Sequence, residues 1–145
     1  MVTKHKTVSQ LKKDLDKVFS RYIRYRDGKK IDDPENGETY WYTLCITSGE
    51  WMPFKKAQAG HFMSRRFNST RYNEENVNGQ SYRDNVLFYG EQYKYAKALD
   101  LKYGEGTAQK LQELAKETKQ FKATELEEMI DYYKERVREY EEGLI

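Results

Sequence analysis

The chain has two histidines in 145 residues, and one of them, His61, stands in QAGHFMSRR ahead of Asn76 and Asn85. A histidine held on a strand can take a proton from water. A helix that follows can offer a ligand to one divalent cation, which holds a scissile phosphate and offsets charge on the leaving oxygen. The trace of such a phosphodiester-cutting site is a histidine, then an asparagine, then a further His or Asn, at the separations found here between 61, 76 and 85. In that trace the middle asparagine braces the intervening loop through backbone hydrogen bonds, and the last residue reaches the metal. Read without the spacing, Asn76 and Asn85 equally suit turn caps, and a lone histidine is ordinarily a structural or surface group.

Such a unit is often stapled by zinc, through one Cys-x-x-Cys before the histidine strand and another just ahead of the helix. Those places read Cys45-Ile46-Thr47-Ser48 and Ser81-Tyr82-Arg83-Asp84. One thiol of four remains. Serine is a poor zinc ligand, so Cys45, Ser48, Ser81 and Asp84 are degenerate positions and no structural zinc is expected.

Between His61 and Asn76 lie Arg65, Arg66 and Arg71, with Ser64, Asn68, Ser69 and Thr70 among them. This mixture suits phosphate contacts, which supply affinity but read no sequence. Tyr40, Tyr42, Tyr82, Tyr89, Tyr93 and Tyr95 could stack on unpaired bases, although the edges of a core are their commoner use.

The elements that must position these residues are legible in outline. Leu11, Leu15, Val18, Tyr22 and Tyr25 recur at helical spacing, so residues 7–27 form an amphipathic helix with Ser9 or Thr7 as cap and Gly28 as stop. Lys13, Lys17, Arg21 and Arg24 fall on another face of it, either solvated or following a phosphate backbone. DDPENGE is a polar loop. TYWYTLCIT alternates as a strand does, and a second strand covers part of residues 51–61 with an interruption near Pro53. Residues 64–75 read as loop, followed by a helix from near Ser81 to Tyr103, broken at Gly90. Thr107 caps the next helix. Thr124 with Glu127 forms the capping box of the last, whose apolar stripe is Leu126, Ile130, Tyr133, Val137 and Tyr140.

Length and composition bound the rest. At 17.4 kDa the chain is the size of one domain. With 34% charged residues and a mean hydropathy of −1.06 it offers no run near the roughly 18 apolar residues of a membrane span. The start, MVTKHKTVSQ, has no signal-type apolar stretch and the single cysteine permits no internal disulfide, so a reducing cytoplasm is the expected compartment. Residues 1–30 carry ten Lys or Arg against three Asp, whereas residues 105–145 carry seven basic against eleven acidic groups. One end is built to meet an anion.

FSRYIRYRDG, CITSG, QAGHFMSRR, TRYNEENVNGQ, SYRDN and YGEQYKY, in this order, resemble the phage NinG (Rap) recombination-protein family of HNH-type endonucleases over roughly residues 15–140. The resemblance implies an α+β fold with a ββα-metal core over 39–103, flanked by the basic helix 7–27 and a helical extension over 107–142, all in one domain. It implies a cytoplasmic enzyme, in the bacterial host if phage-encoded, that cuts branched or recombination-intermediate DNA with Mg²⁺ or Mn²⁺. His61 would be the general base, shared with the metal site, Asn76 the loop brace and Asn85 a metal ligand. Two cuts at a junction would suit a homodimer.

This chain departs from the pattern at Ser48, Ser81 and Asp84, at Phe88 where a lysine is frequent, and at Gly60 where many HNH enzymes outside this family carry a metal-binding Asp. Water, Gln58 or Asp84 would then complete the metal shell. The alternative is a catalytically inactive, nuclease-derived factor that binds DNA or a protein, such as a phage counter-defence protein.

Overall fold

The computed structural model describes residues 5–145. Helix α1, Val8–Arg26, begins where Thr7 and Gln10 exchange hydrogen bonds: the Thr7 N–H donates to Gln10 Oε1 at 2.9 Å and the Gln10 N–H to Thr7 Oγ1 at 3.2 Å. This reciprocal box satisfies two of the donors that every helix start leaves unpaired. The buried face of α1 is Leu11, Leu15, Phe19, Tyr22, Ile23 and Tyr25. Val18, assigned to that face from the sequence, is half-buried.

Two antiparallel sheets follow. The first has the order β1 (Gly28–Asp32), β2 (Thr39–Leu44), β3 (Trp51–Pro53), with Gly28 opposite Thr43 and Tyr42 opposite Pro53. The second is a hairpin of β4 (Gln58–His61) and β5 (Val77–Gln80), paired Gln58 to Gln80 and His61 to Val77. The loop between them holds one helical turn, α2 (Asn68–Arg71). A π-helical turn, Arg83–Leu87, precedes α3 (Gln92–Tyr103), α4 (Thr107–Leu114) and α5 (Ala123–Glu141). The architecture is α+β.

Some boundaries differ from those the sequence predicts, for local reasons. The strand pattern through Thr47 ends at Leu44, because Cys45 to Glu50 turns back, with Gly49 N–H donating to Cys45 O. The stretch read as one helix with a break at Gly90 is two elements, since Tyr89, Gly90 and Glu91 all have positive φ. Thr107 is already inside α4 and donates its hydroxyl to Gly104 O, leaving the cap position to Gly106. Helix α5 starts two residues early, with Lys122 at the cap position, so Thr124 is inside it and no side-chain cap forms.

Backbone contacts divide the chain into two compact units, Met1–Tyr22 with Gln120–Ile145, and Ile23–Lys119. In the first, α1 and α5 run in the same sense, with Lys12 over the Phe121 ring, Phe19 edge-on to Tyr133 at 4.9 Å and Tyr22 at 6.4 Å from Tyr140. In the second, Phe62, Tyr95, Leu99, Ala108 and Leu111 form the main apolar cluster, and Cys45, Met52 and Ala57 a smaller one. No helix among the described residues is long and apolar enough to cross a membrane.

A polar knot ties the second unit together. Arg26 donates to Asp27, to the Glu74 and Val77 carbonyls and to Asn78 Oδ1, while Asp27 also accepts from Gly79 N–H at 2.7 Å and Lys102 Nζ at 3.0 Å. Burial by itself would raise the Asp27 carboxyl; the Arg26 guanidinium, Lys102 and the Gly79 N–H outweigh it and hold the group below the usual carboxylate value. A carboxyl whose pKa falls on folding stabilises fully above its unfolded value of roughly 3.9, and the contribution is lost as pH drops through the folded value. Asp27→Asn is therefore expected to cost about 1.5–3 kcal/mol at pH 7, the range for hydrogen bonds to charged groups, and to flatten the acid limb of stability. Urea denaturation of both chains from neutral to acid pH measures this; parallel curves would exclude Asp27 as a source of the pH dependence.

Candidate functional site

His61 closes β4, half-buried, and its Nε2 lies 2.9 Å from the Arg71 carbonyl. A carbonyl only accepts, so Nε2 carries the proton. In the neutral ring the lone pair is then on Nδ1. The carbonyl that selects this tautomer is itself held through Asn76. Fully buried, Asn76 accepts from Met63 N–H at 2.8 Å and donates to Met63 O and Thr70 O, each at 3.0 Å. Asparagine alone has one acceptor and two donors at this reach; Thr70 adjoins Arg71, so one carboxamide fixes both ends of the loop around the imidazole.

Tyr95 of α3 docks the helix onto the same hairpin. Its hydroxyl donates to Gly60 O at 2.5 Å and lies 3.4 Å from Asn76 O, and burial pushes it well above the ordinary tyrosine pKa, so it stays protonated. Sequence reading missed this role because a buried tyrosine reads as core.

Asn85, half-buried in the π-helical turn, donates from Nδ2 to Gln58 Oε1 at 2.6 Å. Alternation along β4 puts Gln58 and Gly60 on one face and His61 on the other. The observed hydrogen bonds thus join Asn85 to Gln58 and His61 to the arginine loop, and none joins His61 to Asn85. Among the described residues no group of three or more His, Cys, Asp or Glu is placed to hold a metal ion. What the Asn85 face does present is amide oxygen: Asn85, Gln58 and, across the strands, Gln80, whose buried Oε1 has no hydrogen-bond partner. Amide oxygens are hard donors suited to Mg²⁺ or Mn²⁺, and such an ion keeps much of its water shell and draws charge from substrate phosphate. With no carboxylate among them and Gln58 Oε1 already accepting from Asn85, an ion taken there would be held weakly, through Asn85 and water.

Gly60 explains the orientation of Gln80. The Gln80 Nε2 donates to Gly90 O at 2.9 Å and Thr47 Oγ1 at 3.1 Å, and a Cβ on residue 60 would lie 2.0 Å from its Oε1. The carboxamide therefore fills the space where an acidic side chain at 60 would begin. Because Gln80 is buried and pinned, Gly60→Ala is expected to destabilise by about 1–3 kcal/mol, an overpacking cost, and Gln80→Ala in the same chain should recover part of it. Denaturant titrations of both single variants and the double test the coupling; additive losses would exclude it.

The four degenerate cysteine positions come together. Cys45 Sγ accepts from Ser81 N–H at 3.3 Å and lies 3.7 Å from Asp84 Oδ2; Thr47 Oγ1 donates to that carboxylate at 2.6 Å, and Ser81 Oγ accepts from Asp84 N–H at 3.2 Å. Ser48 accepts from Glu50 N–H at 3.2 Å. Burial would push the Cys45 thiol up, but the Ser48 and Thr47 hydroxyls and the Ser81 N–H outweigh it and lower it. A hydrogen-bonded knot occupies the place of a staple, and Thr47 is the member that spacing did not single out.

The cations divide between the units. Arg65 and Arg66 are exposed in the loop, with Arg66 over the Phe67 ring, while Arg71 donates to Arg65 O at 3.1 Å. In the other unit Lys13, Lys17 and Arg21 are exposed, and Arg21 pairs with Glu141 at 3.2 Å. Arg24 lies in the unit of the hairpin, turned onto Phe54 with its guanidinium 4.5 Å from the ring centroid.

No curated protein and no solved structure gives a significant match to this chain. The sequence model of one family, described as Bacteriophage Lambda NinG protein, matches residues 2–142, a span that takes in the braced histidine loop, the hairpin and the helices of both units. The chain belongs to the NinG family and is, with it, a phage recombination-related protein.

Proposed function

We propose that the protein is an HNH-type endonuclease that hydrolyses phosphodiesters of branched DNA during phage recombination. The observation that carries this reading is the Nε2 contact of His61 with the Arg71 carbonyl, in a loop that Asn76 braces one residue away at Thr70 O. It leaves Nδ1 as the basic nitrogen. A water proton passes to Nδ1, the resulting hydroxide attacks phosphorus, the phosphorus–oxygen bond to the leaving strand breaks, and that oxygen takes a proton from solvent. The Arg71 carbonyl favours the imidazolium that forms, as an oriented acceptor does for a base on any scaffold. A divalent cation held at Asn85 would supply charge neutralisation at the phosphate. Arg65 and Arg66, exposed beside the histidine loop, would grip the backbone without reading bases.

A second reading follows from one feature: at position 60 there is no acid, and Gln80 fills the space. On that reading the scaffold binds DNA and does not cut. Incubation with a four-way junction and with linear duplex, in Mn²⁺ or in EDTA, separates the two. Nicking that requires metal and is lost in His61→Ala supports the endonuclease; tight binding with no nicking under any condition supports the binding factor.

A further inference from the structure

Tyr89, Gly90 and Glu91 have φ of 53°, 87° and 51°, three consecutive left-handed residues of which only one is glycine. L side chains resist this region, and it persists only where the surroundings over-determine it. Here they do. Gly90 N–H donates to Asp84 O at 2.7 Å, Glu91 N–H to Phe88 O at 3.0 Å, and the Gly90 carbonyl accepts from the buried Gln80 amide at 2.9 Å. The result is a rigid turn that holds the Tyr89 ring out in solvent, 89% exposed.

Large exposed side chains continue on both sides of it. Phe88 is 46% and Tyr93 74% exposed. Cations lie over their faces: the Arg83 guanidinium is 5.0 Å from the Phe88 centroid and Lys97 Nζ 4.5 Å from that of Tyr93. From Tyr82 to Lys97 every fully exposed charge is positive, namely Arg83, Lys94 and Lys97; Asp84 is buried and Glu91 is half-buried, 3.7 Å from Lys94.

We propose that this turn is a stacking platform for unpaired nucleobases, with Tyr89 and Tyr93 as its rings and Arg83 and Lys97 as its phosphate contacts. Rings interleaved with cations suit single-stranded nucleic acid, because every base has a face to stack and every linkage an anion. A second copy of the chain is the poorer occupant, since a two-fold contact would set these like charges against one another. The proposal rests on the DNA-cutting reading only for the choice of DNA. It deepens that reading by naming strands with exposed bases, such as those at the crossing of a branch, as the preferred substrate.

The test uses the full chain in EDTA, with fluorescence anisotropy on a labelled oligothymidylate and on a fully paired duplex. Tyr89→Gly removes the ring and at the same time relieves the backbone, because glycine adopts positive φ freely. It is expected to melt no lower than the parent, to bind oligothymidylate about tenfold more weakly, within the range for one stacked base, and to bind duplex unchanged. Tyr89→Phe keeps the ring and should bind as the parent does. Unaltered single-strand affinity in Tyr89→Gly would overturn the proposal, as would equal losses on both probes, or self-association by analytical ultracentrifugation that depends on the ring. Absence of metal-dependent nicking bears on the endonuclease reading alone, since no arm of this experiment needs cleavage.

Discussion

Asn76→Ala is expected to remove about 3–5 kcal/mol of stability, the range in which a buried network loses its central member. The methyl group would leave Met63 N–H, Met63 O and Thr70 O without the partners that now lie at 2.8, 3.0 and 3.0 Å, in a site from which water is excluded. Asn76→Asp makes the sharper comparison. It keeps the shape and the acceptor for Met63 N–H but turns the two donated bonds into oxygen facing oxygen, so at neutral pH it should rescue little. Urea denaturation reads the loss directly. A variant as stable as the parent would mean that the loop is held by something other than this carboxamide, and the orientation of His61 would need another cause.

The same residue shows what a sequence can reveal. Asn76 is found by its separation from His61, because a loop brace must lie at the foot of the returning strand; that strand itself leaves no pattern in the sequence. VNGQ is wholly buried yet carries Asn78 and Gln80, and no periodicity marks a strand whose polar side chains bond to Arg26, Lys102, Tyr95 and Gly90, all distant in sequence or in another element. GKKID was likewise hidden, since four of its five residues are exposed and its pairing with β2 leaves no apolar alternation to read. Amphipathic α1 was legible because burial of one face imposes a period. The spacing of Cys45, Ser48, Ser81 and Asp84 located their cluster, but Thr47, which bonds Asp84 more tightly than the thiol does, carries no such signal. Patterns that arise from one face or one spacing can be read along the chain; long-range polar pairing cannot.

His61→Ala is expected to lower the rate of metal-dependent junction cleavage by about 10²–10⁴-fold, the usual contribution of a positioned general base, with folding nearly intact. The side chain is half-buried and its Nε2 bonds a loop carbonyl, so the structural loss should stay near the roughly 0.5–1.5 kcal/mol of an ordinary hydrogen bond. Junction affinity should change little, because phosphate contacts assigned to Arg65 and Arg66 do not pass through the imidazole. Added imidazole distinguishes a missing base from a disturbed loop. It can accept the water proton in the cavity left by His61→Ala and should restore part of the rate, whereas in Asn76→Ala the intact but unanchored His61 gains nothing from a second base in solution. Single-turnover cleavage with and without imidazole measures both. Full activity in His61→Ala, or equal rescue of the two variants, would remove His61 from the chemistry and require another base.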